Sequence, residues 1–159
     1  MNSCIDHSLT WTSNVFPDSV TFYGMLPQGM EMLYTVAFSF GRHSAAKLVE
    51  FAFFVATLPL IFRVARRLGA SHLASAVAAV FYFCAPVAGL TGSCSYNDAA
   101  GVFFLLAALY LLLLADDRYL PAAGLLAGFC YAVKLPGLVV AAGAVLFLAA
   151  QRRWRAALV

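Results

Sequence analysis

The sequence contains few charged residues. Of its 159 residues, 11% are Asp, Glu, Lys or Arg, whereas soluble domains carry roughly 25%. Hydrophobic residues make up 64% of the chain, and its mean hydropathy is +0.88. A soluble protein of this length has too much surface for its volume to hide so much apolar area. The composition therefore excludes a soluble globular domain and predicts an integral membrane protein in contact with membrane lipids.

Other functional signatures are missing as well. The ten Lys and Arg residues are scattered along the chain, and nucleic-acid binding needs a clustered basic face, so we expect no nucleic-acid partner. The chain has no CxxC pair and no Cys/His cluster that would indicate a metal site. Its first residues lack a basic stretch followed by an apolar one, so they do not form a signal peptide.

Long apolar segments make up most of the chain. Five of them lie at about 45–62, 72–90, 99–114, 120–133 and 137–150. A transmembrane helix needs about 20 residues, so the first two are long enough, the third is marginal and the last two form a shorter helical hairpin. Their residues do not alternate between apolar and polar, as barrel strands would. We predict an all-α fold, a polytopic transmembrane helical bundle of about five spans.

The composition along the chain predicts three regions. Residues 1–24 are polar and are expected to be the remnant of an external loop. Residues 25–41 are apolar but too short to span, so we predict a juxtamembrane helix at the membrane interface. Residues 42–159 form the transmembrane helical region. The external N-terminal segment has no preceding signal or span, and residues 151–159 look like the entry to another helix, so we expect a fragment of one larger domain.

The basic residues predict the orientation. One side of the membrane receives Arg63, Arg66, Arg67, Arg118, Arg152, Arg153 and Arg155, and the other receives Arg42, Lys47 and Lys134. Cytoplasmic loops carry the excess of Lys and Arg. The N-terminal segment, the 91–98 loop and the turn at Lys134 are therefore expected outside the cell.

Ionisable residues close to the membrane are candidates for function because their burial is costly. Asp98 precedes the third span and is either a first-turn helix acid or a carboxylate that acts on a substrate. Lys134 is either a snorkelling lysine or a cation for an anionic headgroup. Glu31 fits the polar face of an interfacial helix. Glu50 is interpreted as an i,i+3 partner of Lys47.

Four motifs occur in a characteristic order. They are Phe16-Pro17-Asp18-Ser19, the 26–34 segment Leu-Pro-Gln-Gly-Met-Glu-Met-Leu-Tyr, Tyr96-Asn97-Asp98, and a Gly-rich stretch that ends in Lys134-Leu135-Pro136-Gly137. Together they resemble the GT-C membrane glycosyltransferases. The closest resemblance is to the bacterial branch related to dolichyl-phosphate-mannose protein mannosyltransferases and aminoarabinose transferases.

This resemblance implies transfer of a sugar from a polyprenyl-phosphate donor to a lipid, protein or glycan acceptor at the outer membrane face. It implies catalytic roles for Asp98 and Asp18, with Asp98 supporting the acceptor or a divalent metal. The implied substrate-binding residues are Lys134, near the lipid phosphate, together with Glu31, Tyr96 and Asn97. Asp18 lies closer to the juxtamembrane helix than the family's main catalytic Asp, which is expected upstream of this chain.

Two other functions fit parts of the pattern. A transporter or flippase segment would show polar residues or broken helices near the membrane midplane, whereas the charges here lie at span ends. A non-catalytic scaffold or pseudoenzyme would explain the missing main Asp. The preferred prediction is a multi-pass glycosyltransferase of the bacterial inner membrane, with its N-terminal segment outside.

Overall fold

The computed structural model describes residues 28–94 and 96–150, and within them it contains helices and no strand. The helices are α1 (Gly29–Arg67), α2 (His72–Cys84), α3 (Pro86–Ser93), α4 (Asp98–Leu113), α5 (Leu120–Val133) and α6 (Leu138–Ala150), with short 3-10 turns at Asp117–Tyr119 and Leu135–Gly137. The prediction of an all-α fold is confirmed. The predicted loop remnant at 1–24, which contains Asp18, lies outside the described residues.

Helix α1 is broken into two parts. Gly41 and Arg42 have non-helical backbone angles, and Arg42 has a φ of 56°. The Tyr34 hydroxyl donates a hydrogen bond of 2.5 Å to Glu50 Oε2, although 16 residues of unbroken helix would separate the two by about 24 Å. The parts α1a (29–40) and α1b (43–67) therefore fold back on each other. The break falls at the predicted end of the juxtamembrane helix, and the interfacial position of α1a stays a prediction.

Proline divides the second apolar segment. The sequence predicts one continuous span over 72–90, but α2 ends before Ala85 and α3 begins at Pro86 with a bend of 62°. The residue before a proline disfavours helical angles, and Ala85 is extended, with a ψ of 121°. Pro86 then occupies the first turn of α3, where its missing N–H costs nothing.

Helix α1 contacts most of the other helices, and the last two helices continue the bundle from α4. Helix α1 packs against α2, α3 and α4, α4 packs against α5, and α5 packs against α6. One buried cluster consists of Met30, Tyr34, Ala46, Ala100 and Val133. This cluster brings the start of α1, the start of α4 and the end of α5 to the same end of the bundle.

One described helix, Gly29–Arg67, is long and apolar enough to cross a membrane, and the bent pair α2 and α3 passes the same test when joined. The helices α4 and α6 are apolar but shorter. Large apolar side chains such as Phe40, Phe81 and Leu125 are exposed on the outside of the bundle, which suits contact with lipid. The predicted number of about five spans stays a prediction.

The turn after Lys134 depends on a glycine. A Cβ at Gly137 would overlap the carbonyl group of Cys130, whereas a Cβ at Gly143 would meet no described atom within 4 Å. We expect Gly137→Ala to destabilise the protein by about 1–3 kcal/mol because the overlap forces the backbone to move. Gly143→Ala, the control, should be neutral or stabilising by up to about 1 kcal/mol. Thermal unfolding in detergent measures both, and equal midpoints for the two variants would contradict the described turn.

Candidate active site

Six polar residues meet at one end of the bundle. Glu31 and Tyr34 lie on α1a, Glu50 on α1b, Asn97 and Asp98 at the start of α4, and Lys134 directly after α5. The apolar cluster described above holds these three chain regions together. The basic end of α1, at Arg66, lies roughly 24 Å further along the helix from Glu50. The polar groups and the arginine-rich turn therefore lie at opposite ends of the helical region.

Asp98 and Lys134 form an ion pair at this end. The Lys134 ammonium contacts Asp98 Oδ1, and the two side chains are about half exposed, at 46% for Asp98 and 48% for Lys134. Asp98 is the first residue of α4, where the helix dipole favours a carboxylate. An ion pair this exposed contributes only about 0–1 kcal/mol to stability. Its charged groups can therefore exchange partners with a substrate at little cost.

Asn97 and Glu31 form a second polar contact. Asn97 Nδ2 donates a hydrogen bond of 2.6 Å to Glu31 Oε1. Asn97 has a φ of 63°, a left-handed conformation that asparagine tolerates better than most residues. Among the described residues, Glu31 Oε2 and Asn97 Oδ1 are buried oxygens without a hydrogen-bond partner. Such unpaired buried acceptors are rare in folded proteins and call for a functional explanation.

Glu50 is fully buried beneath these residues. Its side chain is 0% exposed, and its Oε1 accepts hydrogen bonds from the backbone N–H groups of Ala99 at 2.8 Å and Ala100 at 3.3 Å. The first N–H groups of a helix have no partner within the helix. Glu50 thus caps α4 from a different helix, while its Oε2 accepts the Tyr34 hydroxyl.

The interpretation of Glu50 as an i,i+3 partner of Lys47 is wrong, because its carboxyl group bonds to Tyr34 and α4 instead. The i,i+3 spacing predicts a contact between Glu50 and Lys47, its neighbour along the helix. The better signal was the surrounding sequence, since Glu50 follows Leu48-Val49 and precedes Phe51-Ala52-Phe53. A carboxylate within such an apolar run needs buried hydrogen-bond donors.

Four of the predicted site residues come together in the structure. They are Glu31, Asn97, Asp98 and Lys134, joined in two contacting pairs. Tyr96 precedes Asn97, is about half exposed, and donates its backbone N–H to the Cys94 carbonyl oxygen. Asp18 falls outside the described residues. Sequence reasoning missed Tyr34 as a member of this group, and it assigned Glu50 to Lys47 instead.

The described residues do not suit a metal ion. Within 28–94 and 96–150, no three His, Cys, Asp or Glu side chains lie close enough together to hold one. Asp98 also contacts an ammonium group, which would compete with a cation for its carboxylate. The described residues therefore offer no site for the divalent metal that the family resemblance leaves open.

A sequence model of the dolichyl-phosphate-mannose-protein mannosyltransferase family matches residues 30–158. The chain belongs to this family. Searches of curated proteins and of solved structures gave no match. This mannosyltransferase family is of GT-C type and membrane-embedded, and it indicates glycosyltransferase activity with polyprenyl-phosphate sugar donors. The matched region contains both contacting pairs of the candidate active site.

The Tyr34 hydroxyl can be tested separately from its ring. Tyr34→Phe keeps the buried ring but leaves Glu50 Oε2 without its donor, so we expect a loss of about 1–3 kcal/mol in stability. The control is Tyr119→Phe, at a position that is 44% exposed and should change stability by less than about 0.5 kcal/mol. Thermal unfolding of both variants in the same detergent measures the difference. If both variants lose the same stability, the buried hydrogen bond has no special role.

Proposed function

We propose that this chain carries part of the transfer centre of an enzyme that moves a sugar from a polyprenyl-phosphate donor to a hydroxyl-bearing acceptor at the outer membrane face. The observation that supports the proposal most strongly is the contact between Asp98 and Lys134. It places an acidic and a basic group side by side at the exposed end of an apolar bundle. The family match supports the donor class.

The reaction needs both kinds of charge. The acceptor oxygen forms a bond to the anomeric carbon while the bond from that carbon to the phosphate oxygen breaks. A carboxylate takes the acceptor's proton, and a cation stabilises the charge of the leaving lipid phosphate. We assign the phosphate to Lys134 and the acceptor side to Asp98, with Asp18 as a second catalytic candidate. Binding of the phosphate would draw Lys134 away from Asp98 and leave that carboxylate free to act.

The second contact supports a place for the sugar or the acceptor. Glu31 Oε2 and Asn97 Oδ1 are both buried hydrogen-bond acceptors without a partner among the described residues, so a substrate reaches them only when the Asn97–Glu31 contact opens. Hydroxyl groups of a carbohydrate are donors of the matching kind. We assign Glu31 and Asn97 to substrate hydroxyls, and the neighbouring, half-exposed Tyr96 to the same surface. The proposed setting is a multi-pass protein of the bacterial inner membrane with this end outside.

The transfer assay uses the full-length protein in liposomes with radiolabelled polyprenyl-phosphate mannose, glucose and arabinose as donors and membrane extracts as acceptors. We expect Asp98→Asn to lower turnover by about 100-fold or more, because the amide that replaces the carboxylate cannot accept the acceptor's proton. Lys134→Met should raise the donor KM by about 10-fold or more, because one charge-assisted hydrogen bond to the phosphate is lost.

Matched controls lie in the turn at the opposite end of α4. Asp116→Asn and Arg118→Ala remove the same kinds of charge there and should leave transfer within about twofold, since surface changes away from a site have small effects. Wild-type activity in both site variants would end the proposed roles. Donor binding without turnover by the wild-type protein would instead favour the non-catalytic scaffold.

Glu31 provides a separate test of the hydroxyl site. Glu31→Ala removes the unpaired oxygen, so we expect the KM for the donor or the acceptor to rise by about 10-fold, the equivalent of one hydrogen bond. Thr35→Ala is the control, because Thr35 is exposed on the same helix and bonds only to the backbone oxygen of Glu31 among the described residues. A deoxygenated sugar identifies the hydroxyl concerned. The wild-type protein should bind it about 10-fold more weakly than the intact sugar, whereas Glu31→Ala should bind the two sugars equally. An unchanged KM in Glu31→Ala would remove Glu31 from the site.

A further inference from the structure

Glu50 is the one fully buried carboxylate among the described residues. Its side chain is 0% exposed, whereas the nearby Asp98 side chain is 46% exposed. A substrate that reaches Asp98 therefore meets the surface of the site and does not touch Glu50. Any contribution of Glu50 to the reaction has to act through the residues that it holds.

The start of α4 depends on this carboxylate. Asn97, the residue that would ordinarily cap the helix with its side chain, makes no such bond and donates to Glu31 instead. The N–H groups of Ala99 and Ala100 belong to residues that are 1% and 0% exposed, so water does not replace Glu50 as their acceptor. Ala99 is bonded covalently to Asp98. The position of the Asp98 backbone is thus set by the hydrogen bonds to Glu50.

The second oxygen of Glu50 extends the connection to α1a. Tyr34 donates to that oxygen and lies three residues after Glu31 on the same helix, hence on nearly the same face. Glu31 in turn accepts from Asn97, which precedes Asp98. Hydrogen bonds and backbone therefore form a closed ring through Glu31, Asn97, the start of α4, Glu50 and Tyr34. A closed ring restricts each member more than a single contact would.

We propose that Glu50 is a positioning residue of the transferase. It holds the start of α4 and the juxtamembrane part α1a in one arrangement, so that Asp98 faces Lys134 while Asn97 faces Glu31. The effect on catalysis rests on the proposed function. The effect on the backbone of α4 does not, and it can be measured in a protein that transfers no sugar.

The kinetic test compares three variants of the full-length protein with polyprenyl-phosphate mannose or whichever tested donor the wild type uses. We expect Glu50→Ala to lower kcat per folded molecule by about 100-fold, the scale of a misplacement of about 1 Å, with donor KM within about threefold. Glu50→Gln should recover most of the rate, because its amide oxygen can accept from α4 and its amide nitrogen can donate to the Tyr34 oxygen.

The matched control is Thr57→Ala. Thr57 is also 0% exposed and lies two turns further along α1b, but its hydroxyl bonds to the Phe53 carbonyl oxygen of its own helix. A purely structural loss lowers the amount of folded protein and leaves kcat per folded molecule unchanged, as expected for Thr57→Ala. If Glu50→Ala behaves in the same way, the positioning role is wrong.

Amide hydrogen exchange gives the readout that needs no activity. The Ala99 and Ala100 amides should exchange at least about 10-fold faster in Glu50→Ala, because they lose their acceptor, and at nearly the wild-type rate in Glu50→Gln and Thr57→Ala. Unchanged exchange in Glu50→Ala would overturn the proposal. If the wild type transfers no sugar, the proposed function fails while the exchange result still decides whether Glu50 holds α4.

Glu50→Asp covers the case in which Glu50→Ala does not fold. It keeps the carboxyl group but shortens the side chain by one methylene group, so it reaches Tyr34 or α4 less well than Glu50→Gln does. A positioning role predicts a lower kcat per folded molecule for Glu50→Asp than for Glu50→Gln, together with faster exchange at Ala99 and Ala100. The reverse order would show that Glu50 supplies a carboxyl group as such, rather than placement of α4, and would overturn the proposal.

Discussion

A buried carboxylate in an apolar helical bundle has to find hydrogen-bond donors, and the arrangement of this protein's polar end depends on that requirement. Burying a carboxyl group costs several kcal/mol unless its oxygens are hydrogen-bonded. Glu50 meets this requirement with donors from two other parts of the chain, the Tyr34 hydroxyl and the first N–H groups of α4. Neither part can move away without leaving carboxyl oxygens or backbone N–H groups unsatisfied. The fold-back of α1 and the start of α4 are therefore interdependent.

The buried hydrogen bonds of Glu50 and the exposed Asp98–Lys134 pair differ in how much it costs to break them. The hydrogen bonds of Glu50 lie where water is absent, so breaking them is costly and they keep the backbone in place. The Asp98–Lys134 pair is half exposed, so exchanging one partner for a substrate group costs little. A transferase needs both properties, since charged groups must change partners during the reaction while the backbone that carries them stays fixed. At this end of the bundle the exchangeable charges lie at the surface, on Asp98 and Lys134, and the fixed hydrogen bonds lie in the interior, at Glu50.

The sequence predicts the helical class and much of the site because both follow from local pattern. Asp98, Lys134 and Glu31 were recognisable as charges beside apolar segments, and the helical class followed from the absence of alternation. Pro86 carried the signal for the bend after α2, although the segment was predicted to be continuous. The role of Glu50 was not predictable in the same way, because its partners lie 16 and about 50 residues away in sequence. Such contacts depend on how the helices pack, and the nearby Lys47 offered a plausible local partner that the structure does not use.

The site lies where it does because neighbouring helices run antiparallel and because the bilayer excludes charged side chains from its core. Helices α4 and α5 run antiparallel, since Asp98 at the start of α4 contacts Lys134 after the end of α5 and Leu112 packs with Ala123 at their other ends. Antiparallel neighbours bring alternate connections to the same end of a bundle, and a bilayer confines charged side chains to those ends. Residues separated by tens of positions thus gather at one surface without a dedicated binding domain.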